Sequence, residues 1–223
     1  MAKNKKNDDG FFLLMAIAGL LLFLPFLIVG AVRLSSFKRQ YLSSATSQRI
    51  IDIRRLGPSL LVAGILMIAC AITIGTICSG VVKTGASESG NIIALAAIAV
   101  GGVCLIGIVC GVFVARHMAV LYLGVIGDKE NDRVYFPYDM QSYTISDYIT
   151  LRFLKEIGRV DSVPLSSIEK MTRGNRGKDL YIHGAFGSRG ITMSNKQKRD
   201  ECLAMIMNMA GKKGLLTGEV ESF

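Results

Sequence analysis

The sequence predicts an α-helical membrane anchor of three transmembrane helices followed by a small α+β domain. In that domain a twisted antiparallel sheet rolls into a partial barrel closed by a C-terminal helix. Three observations predict this: three long uncharged stretches, a later change to alternating hydrophobicity, and a final amphipathic segment bounded by capping residues. The balance of residues agrees. Of 223 residues, 51% are hydrophobic and 19% charged, against about a quarter charged in soluble domains.

The three stretches are Phe11 to Val32, Leu60 to Val82 and Ile92 to Ala115, without a charge over 22, 23 and 24 residues respectively. At about 1.5 Å rise per residue each reaches about 33–36 Å as a helix, enough for a hydrocarbon core of about 30 Å. Lipid admits only helices and closed barrels, and these runs lack the alternation of barrel strands. Residues 1–117 are therefore read as a transmembrane region with spans at 11–32, 60–82 and 92–115 and a basic loop at 33–59. The first stretch has a rival reading as a signal peptide, since Lys3, Lys5 and Lys6 precede it and Val29-Gly30-Ala31 offers a cleavage site. Its apolar core is longer than the usual 7–15 residues of a signal, which favours an anchor. Pro25 either kinks that helix or bends it into a re-entrant hairpin.

Charge sets the expected orientation. Arg33, Lys38, Arg39, Arg49, Arg54 and Arg55 lie between the first two spans against one acid, Asp52, whereas only Lys83 and Glu88 lie between the second and third. Cation-rich loops stay cytoplasmic. The expectation is an integral membrane protein, N-terminus outside, with the C-terminal part in the cytoplasm. Residues 1–59 carry nine cations and three anions, residues 60–117 two and one, and residues 118–223 fifteen and thirteen. The excess sits beside the bilayer, where it meets anionic headgroups, and forms no basic stripe of the kind nucleic acid requires. Membrane lipids are thus expected partners and nucleic acid is not. The segment from Ser35 to Pro58 has two readings. FKRQYL and QRIIDIRRL form a short interfacial helix with Tyr41, Leu42, Ile50 and Ile51 toward lipid, or they extend the second span into the cytoplasm.

None of the three spans contains Asp, Glu, Lys, Arg or His, the residues that mark proton and ion paths. Small residues recur instead: Ala71, Gly75 and Ser79 in the second span, and Gly107 and Gly111 in the third. Such spacing lets helix backbones approach closely, within the chain or between copies. Cys70, Cys78, Cys104 and Cys110 fall in spans and Cys202 in the terminal helix, with no C-x-x-C and no nearby histidine. They read as small apolar residues, and no metal or cofactor is expected.

The period then changes. Ala119 to Ile126 forms a first strand or prolongs the third span, and Arg133 to Phe136 follows as a strand. In DYITLRFL, Ile149, Leu151 and Phe153 alternate with Tyr148, Thr150 and Arg152, the mark of a half-buried strand. Val160 and Val163 border another, broken at Pro164. Ile168 to Thr172 and Leu180 to His183 flank a turn at RGNRGK, and Ala185, Ile191 and Met193 surround a second turn at GSRG. About seven strands are expected. A helix follows, with Ser194 and Gln197 as a capping box, Cys202, Ile206, Met209 and Ala210 as its apolar stripe, and Gly211 as its end. Residues 216–223 are expected to be a flexible tail.

The stretch VPLSSIEKMTRGNRGKDLYIHGAFGSRGITMSNKQKRDECLAMIM resembles the second half of bacterial pleckstrin-homology-like domains. The resemblance covers residues 118–215 at most, and the earlier DKENDRVYFPYDMQ departs from the family pattern. It implies a cytoplasmic module for scaffolding, oligomerisation or membrane-surface binding.

Enzyme signatures are not apparent: there is no G-x-S-x-G, Walker loop, H-E-x-x-H or dinucleotide fingerprint. His183 lies on a strand, Asp139, Asp147 and Asp161 have no metal-ligand spacing, and Tyr135, Phe136 and Tyr138 suit a core or a membrane interface. The chain is read as non-catalytic. The candidate contact surface is the basic hairpin of Lys170, Arg173, Arg176 and Lys178 with Arg189 beside it, facing a protein or anionic headgroups. Three functions fit: an anchored scaffold with a protein partner or self-association, an anionic-lipid-binding module, or an accessory subunit of a transport, secretion or conjugation apparatus.

Overall fold

The computed structural model describes residues 24–83, 90–140, 156–174, 177–211 and 216–219. Helix α1 occupies 24–41, strand β1 Ser47–Ile50, helix α2 Leu56–Lys83 and helix α3 Gly90–Leu123. Strands β2 (Val125–Asp128), β3 (Arg133–Pro137), β4 (Val160–Pro164), β5 (Ile168–Arg173), β6 (Asp179–Gly184) and β7 (Gly187–Thr192) follow, then helix α4 (Lys196–Ala210) and strand β8 (Leu216–Glu219). The chain divides into two compact units, Met1–Gly30 with Pro58–Ala115, and Ala31–Gly57 with Arg116–Phe223.

The first unit contains most of α2 and α3. Two helical stretches, Ile53–Val81 and Ile93–Leu123, are long and apolar enough to cross a bilayer. The first expected span falls mostly on residues outside those described, and its remainder lies in α1. Cys70 and Ile74 of α2 are buried against Leu66, Met67 and Cys78, and against Val100, Val103 and Cys104 of α3. Leu61, Ile65 and Ile68 on α2 and Leu95, Ile98 and Leu105 on α3 are exposed, as lipid-facing positions are in the absence of lipid. Hydroxyls in α2 are satisfied within the helix: Thr73 donates to the Ala69 carbonyl, Thr76 to Thr73 and Ser79 to Thr76.

The second unit holds two four-stranded sheets, ordered β1-β2-β3-β4 and β7-β6-β5-β8, where the sequence suggested one rolled sheet. The break falls between β4 and β5, because Pro164 brings no N–H to a ladder and Leu165–Ser167 make a turn. Neighbours pair antiparallel throughout the first sheet, and in the second except where β8 runs parallel to β5.

Strand period two explains how the first sheet is covered on both faces. Val125, Val134, Phe136 and Val163 enter one core with Ile168, Met171, Leu180, Ile182 and Ile191 of the second sheet. Cys202, Leu203, Met205, Ile206 and Met209 of α4 complete it. The alternate residues Ile126, Tyr135 and Val160 join a second cluster with Phe37 and Tyr41 of α1 and Ala119, Val120 and Leu123 of α3.

Several expectations are corrected. FKRQYL is neither of the two anticipated forms but continues α1, and Phe37 is buried under the sheet. QRIIDIRRL is β1 followed by a 3-10 turn at Ile53–Arg55, because the edge of β2 captures residues 47–50 into a ladder. Residues 119–126 divide at Gly124 into the end of α3 and the start of β2. GSRG is strand rather than turn; the turn is Ala185-Phe186. The N-cap of α4 is Asn195, whose side chain accepts from Lys198 N at 2.8 Å, and Ser194 is engaged elsewhere. Gly211 ends α4 with φ 64° as expected. Within the expected tail at 216–223, Leu216–Glu219 form a strand. The compact unit also takes in Ala31–Gly57, beyond the expected domain at 118–215. DYITLRFL lies outside the described residues.

Candidate functional site

The basic hairpin is built by β5 and β6, whose register pairs Arg173 with Leu180 and Thr172 with Tyr181. Gly174 N–H donates to the Asp179 carbonyl at 2.9 Å and Gly177 N–H to the Gly174 carbonyl at 3.0 Å, closing the turn. Its described candidate residues do not form one patch of available charge. Arg173 Nη2 lies 3.3 Å from Asp200 Oδ1 on α4. Arg199, which is buried, holds the same oxygen through Nη2 at 2.8 Å and donates through Nη1 to the Gly177 carbonyl at 2.9 Å. Two arginines therefore fasten the hairpin to the first turns of α4. Arg189 is 3.1 Å from Asp161 and joins β7 to β4 across the two sheets. Arg176 lies outside the described residues. Lys170 is partly buried, and Lys178 is exposed. The sequence reading missed Lys196, which is exposed; a Cβ added to Gly177 would stand 2.6 Å from its Cε. Only the fold brings Lys178 and Lys196 to one end of the domain.

A second polar cluster was not legible from spacing at all. Asp52, 2% exposed, accepts from Ser194 N at 2.5 Å and from Ser194 Oγ at 2.6 Å. Arg55 donates to the Thr192 carbonyl. Burial lowers the Arg55 pKa from its ordinary value, and the nearby carboxylates of Asp52, Asp139 and Asp179 oppose that shift. A buried carboxylate left without its hydrogen-bond donors carries the full cost of its desolvation. This cluster ties the segment before α2 to the strand and helix some 140 positions later.

Arg49, one of the cations used to argue orientation, caps α3. Its Nε donates to the Leu123 carbonyl at 2.8 Å, its Nη2 donates to the Tyr122 carbonyl, and its guanidinium lies 5.1 Å from the Tyr122 ring centroid. A cation on the last carbonyls of a helix also meets the negative end of its dipole.

The other candidates are placed as follows. His183 Nε2 and Thr172 Oγ1 share a hydrogen bond of 2.8 Å across β5 and β6. Asp139, whose side chain is 2% exposed, accepts from Gly158 N at 3.1 Å. His117 Nδ1 stands 3.1 Å from it, ion-pair distance for a protonated ring but without hydrogen-bond alignment. Tyr135 packs against Tyr41 with ring centroids 4.8 Å apart and planes tilted by 51°, and Phe136 is fully buried, the core role of the two anticipated for them. Asp147 is outside the described residues. In the helical unit Gly75, Gly107 and Gly111 are buried and Ala71 and Ser79 partly so. The described cysteines carry free thiols, and burial pushes the Cys202 thiol up to about 12. No family model matches the chain, and no curated protein or solved structure shows significant similarity to it.

Proposed function

We propose that the chain is a non-catalytic, multi-pass protein of a bacterial inner membrane. Its second unit acts as a cytoplasmic, pleckstrin-homology-like docking platform for another component of a membrane assembly. One observation carries this reading: residues 31–57 and 116–223 belong to one compact unit, so the chain enters and leaves the α2–α3 pair through the same domain. A module threaded in this way stays with its anchor and suits holding a partner at the membrane. Its charged groups support a structural role as well, since Asp52, Arg199, Asp161 and Asp200 are spent on internal contacts.

A second reading, binding of anionic lipid, is favoured by exposed Lys178 and Lys196 at one end of the unit. One experiment separates the two. The protein is purified in a mild detergent beside a variant with Arg176, Lys178 and Lys196 changed to Gln. The docking reading expects a stoichiometric protein partner with the wild type. The lipid reading expects the protein alone with acidic phospholipid, and at about 1 kcal/mol per cation its retention falls by roughly two orders of magnitude in the variant. Recovery of the wild type with neither partner nor acidic lipid overturns both.

A further inference from the structure

The fourth strand of the second sheet is held differently from the other three. β5 spans Ile168–Arg173, and its register partners in β8 are Leu216, opposite Met171, and Glu219, opposite Arg173. Two steps along β5 thus match three along β8, and the ladder carries a register break. This is the one parallel pairing among the described strands, and parallel ladders are less stable per residue. β8 is also only four residues long and begins five positions after Gly211 closes α4. The edge that receives it is firm. Ile168 and Met171 of β5 are fully buried, and β6 pairs with β5 along the opposite side. A rigid edge therefore carries a short, irregular occupant.

We propose that the outer edge of β5 is a strand-receiving site, that β8 is its displaceable in-chain plug, and that the partner is an extended, acidic peptide segment of another protein. An exposed strand edge offers main-chain donors and acceptors that any extended backbone satisfies. The plug indicates the preferred chemistry: it places Glu219 at the register position of Arg173, and Glu221 follows in the same tail. A competitor with a carboxylate at that position meets Arg173, which shares the single carboxylate of Asp200 with Arg199. The inference rests on the docking reading above and names the partner class and its control: while the plug is seated, binding is weak.

The test uses a fluorescent peptide of residues 214–223 and the detergent-solubilised protein in three forms: the full chain, a chain ending at Gly211, and a full-length Thr217→Pro/Gly218→Pro variant. The double proline removes two N–H groups from β8. Both opened forms should bind the peptide saturably, at least tenfold more tightly than the full chain does. A Glu219→Lys peptide should bind several-fold more weakly. The inference is overturned if the double-proline variant fails to bind, or if the full chain binds as tightly as the opened forms. It is also overturned if an opened variant retains a co-purifying partner that excess peptide does not displace; the docking reading then survives and only the site falls.

Discussion

At Gly124 the chain turns from α3 into β2 with φ +71°, and a Cβ there would stand 2.1 Å from the Ile50 carbonyl oxygen. Strain and clash act together, so Gly124→Ala should destabilise the protein by about 3 kcal/mol or more in denaturant unfolding. Gly111, one of the helix-packing candidates, has no such constraint: a Cβ would meet Met67 Cε at 3.8 Å and Phe26 Cβ at 3.9 Å, ordinary contact. Gly111→Ala should be neutral or stabilising by up to about 1 kcal/mol, and a large loss there would show closer helix approach than this geometry. Asp128 gives a pH dependence. Burial raises its pKa, but hydrogen bonds from Asn131, Ser44 and Glu130 outweigh burial and hold it below its ordinary value. A lowered folded-state pKa contributes stability above the unfolded carboxylate range and loses it as pH falls through the folded value. Melting temperature between pH 7 and pH 3 should therefore fall more steeply for the wild type than for Asp128→Asn. Parallel curves would show that this carboxylate is not linked to folding.

Among the elements, α4 is the one whose local rules and tertiary contacts can be separated. Its start depends on Asn195, and Asn195→Ala should cost about 1 kcal/mol, the usual loss of a side-chain cap. Its inward face depends on Ile206, fully buried between the sheets, and Ile206→Asp should abolish the folded unit because an unpaired carboxylate would enter the core. Near-ultraviolet circular dichroism distinguishes a weakened helix from a lost core. The fit of α4 to the first sheet also depends on Gly127, where a Cβ would stand 2.2 Å from Met209 Sδ. β1 is an element of another kind. It has four residues, with Arg49 on the end of α3, and it forms only because β2 offers an edge.

For the whole molecule, the discontinuous second unit changes what a fragment should do. A chain of 118–216 lacks β1, Phe37, Asp52 and Arg55, so it exposes the β2 edge and leaves Ser194 without its carboxylate. It should be aggregation-prone and without a cooperative transition. A chain joining 31–57 to 116–219 through a flexible Gly/Ser linker should instead unfold cooperatively. Cooperative folding of the shorter fragment would show that the α1–α2 segment is dispensable. The same pairing constrains topology, because residues bonded in one sheet occupy one side of a membrane. Single reporter cysteines at Ser43 and Ser188, both exposed, should react with an impermeant thiol reagent from the same side, and one at Ser87 from the opposite side. Labelling of Ser43 and Ser188 from different sides would be incompatible with the β1–β2 ladder.

By itself the sequence determined the features that depend on composition and local period. Uninterrupted apolar runs specify the two long helices, since length and absence of charge are read without neighbours. Apolar strand segments and the turn signals between them placed β3 to β6 near their observed ranges, and Gly211 marked the end of α4 because a left-handed residue stops a helix locally. Tertiary structure decided the rest. QRI became a strand because β2 presents an edge at residues 125–128, more than seventy positions away, against which local helical preference is weak. Ser194 left its predicted capping role because Asp52 offers a buried carboxylate, and Asn195 took the cap. Arg173 and Arg189 look alike in sequence to Lys178, yet Asp200 and Asp161 neutralise the first two while Lys178 remains exposed. Charge in a sequence is local, but its availability depends on which carboxylates the fold brings within about 4 Å.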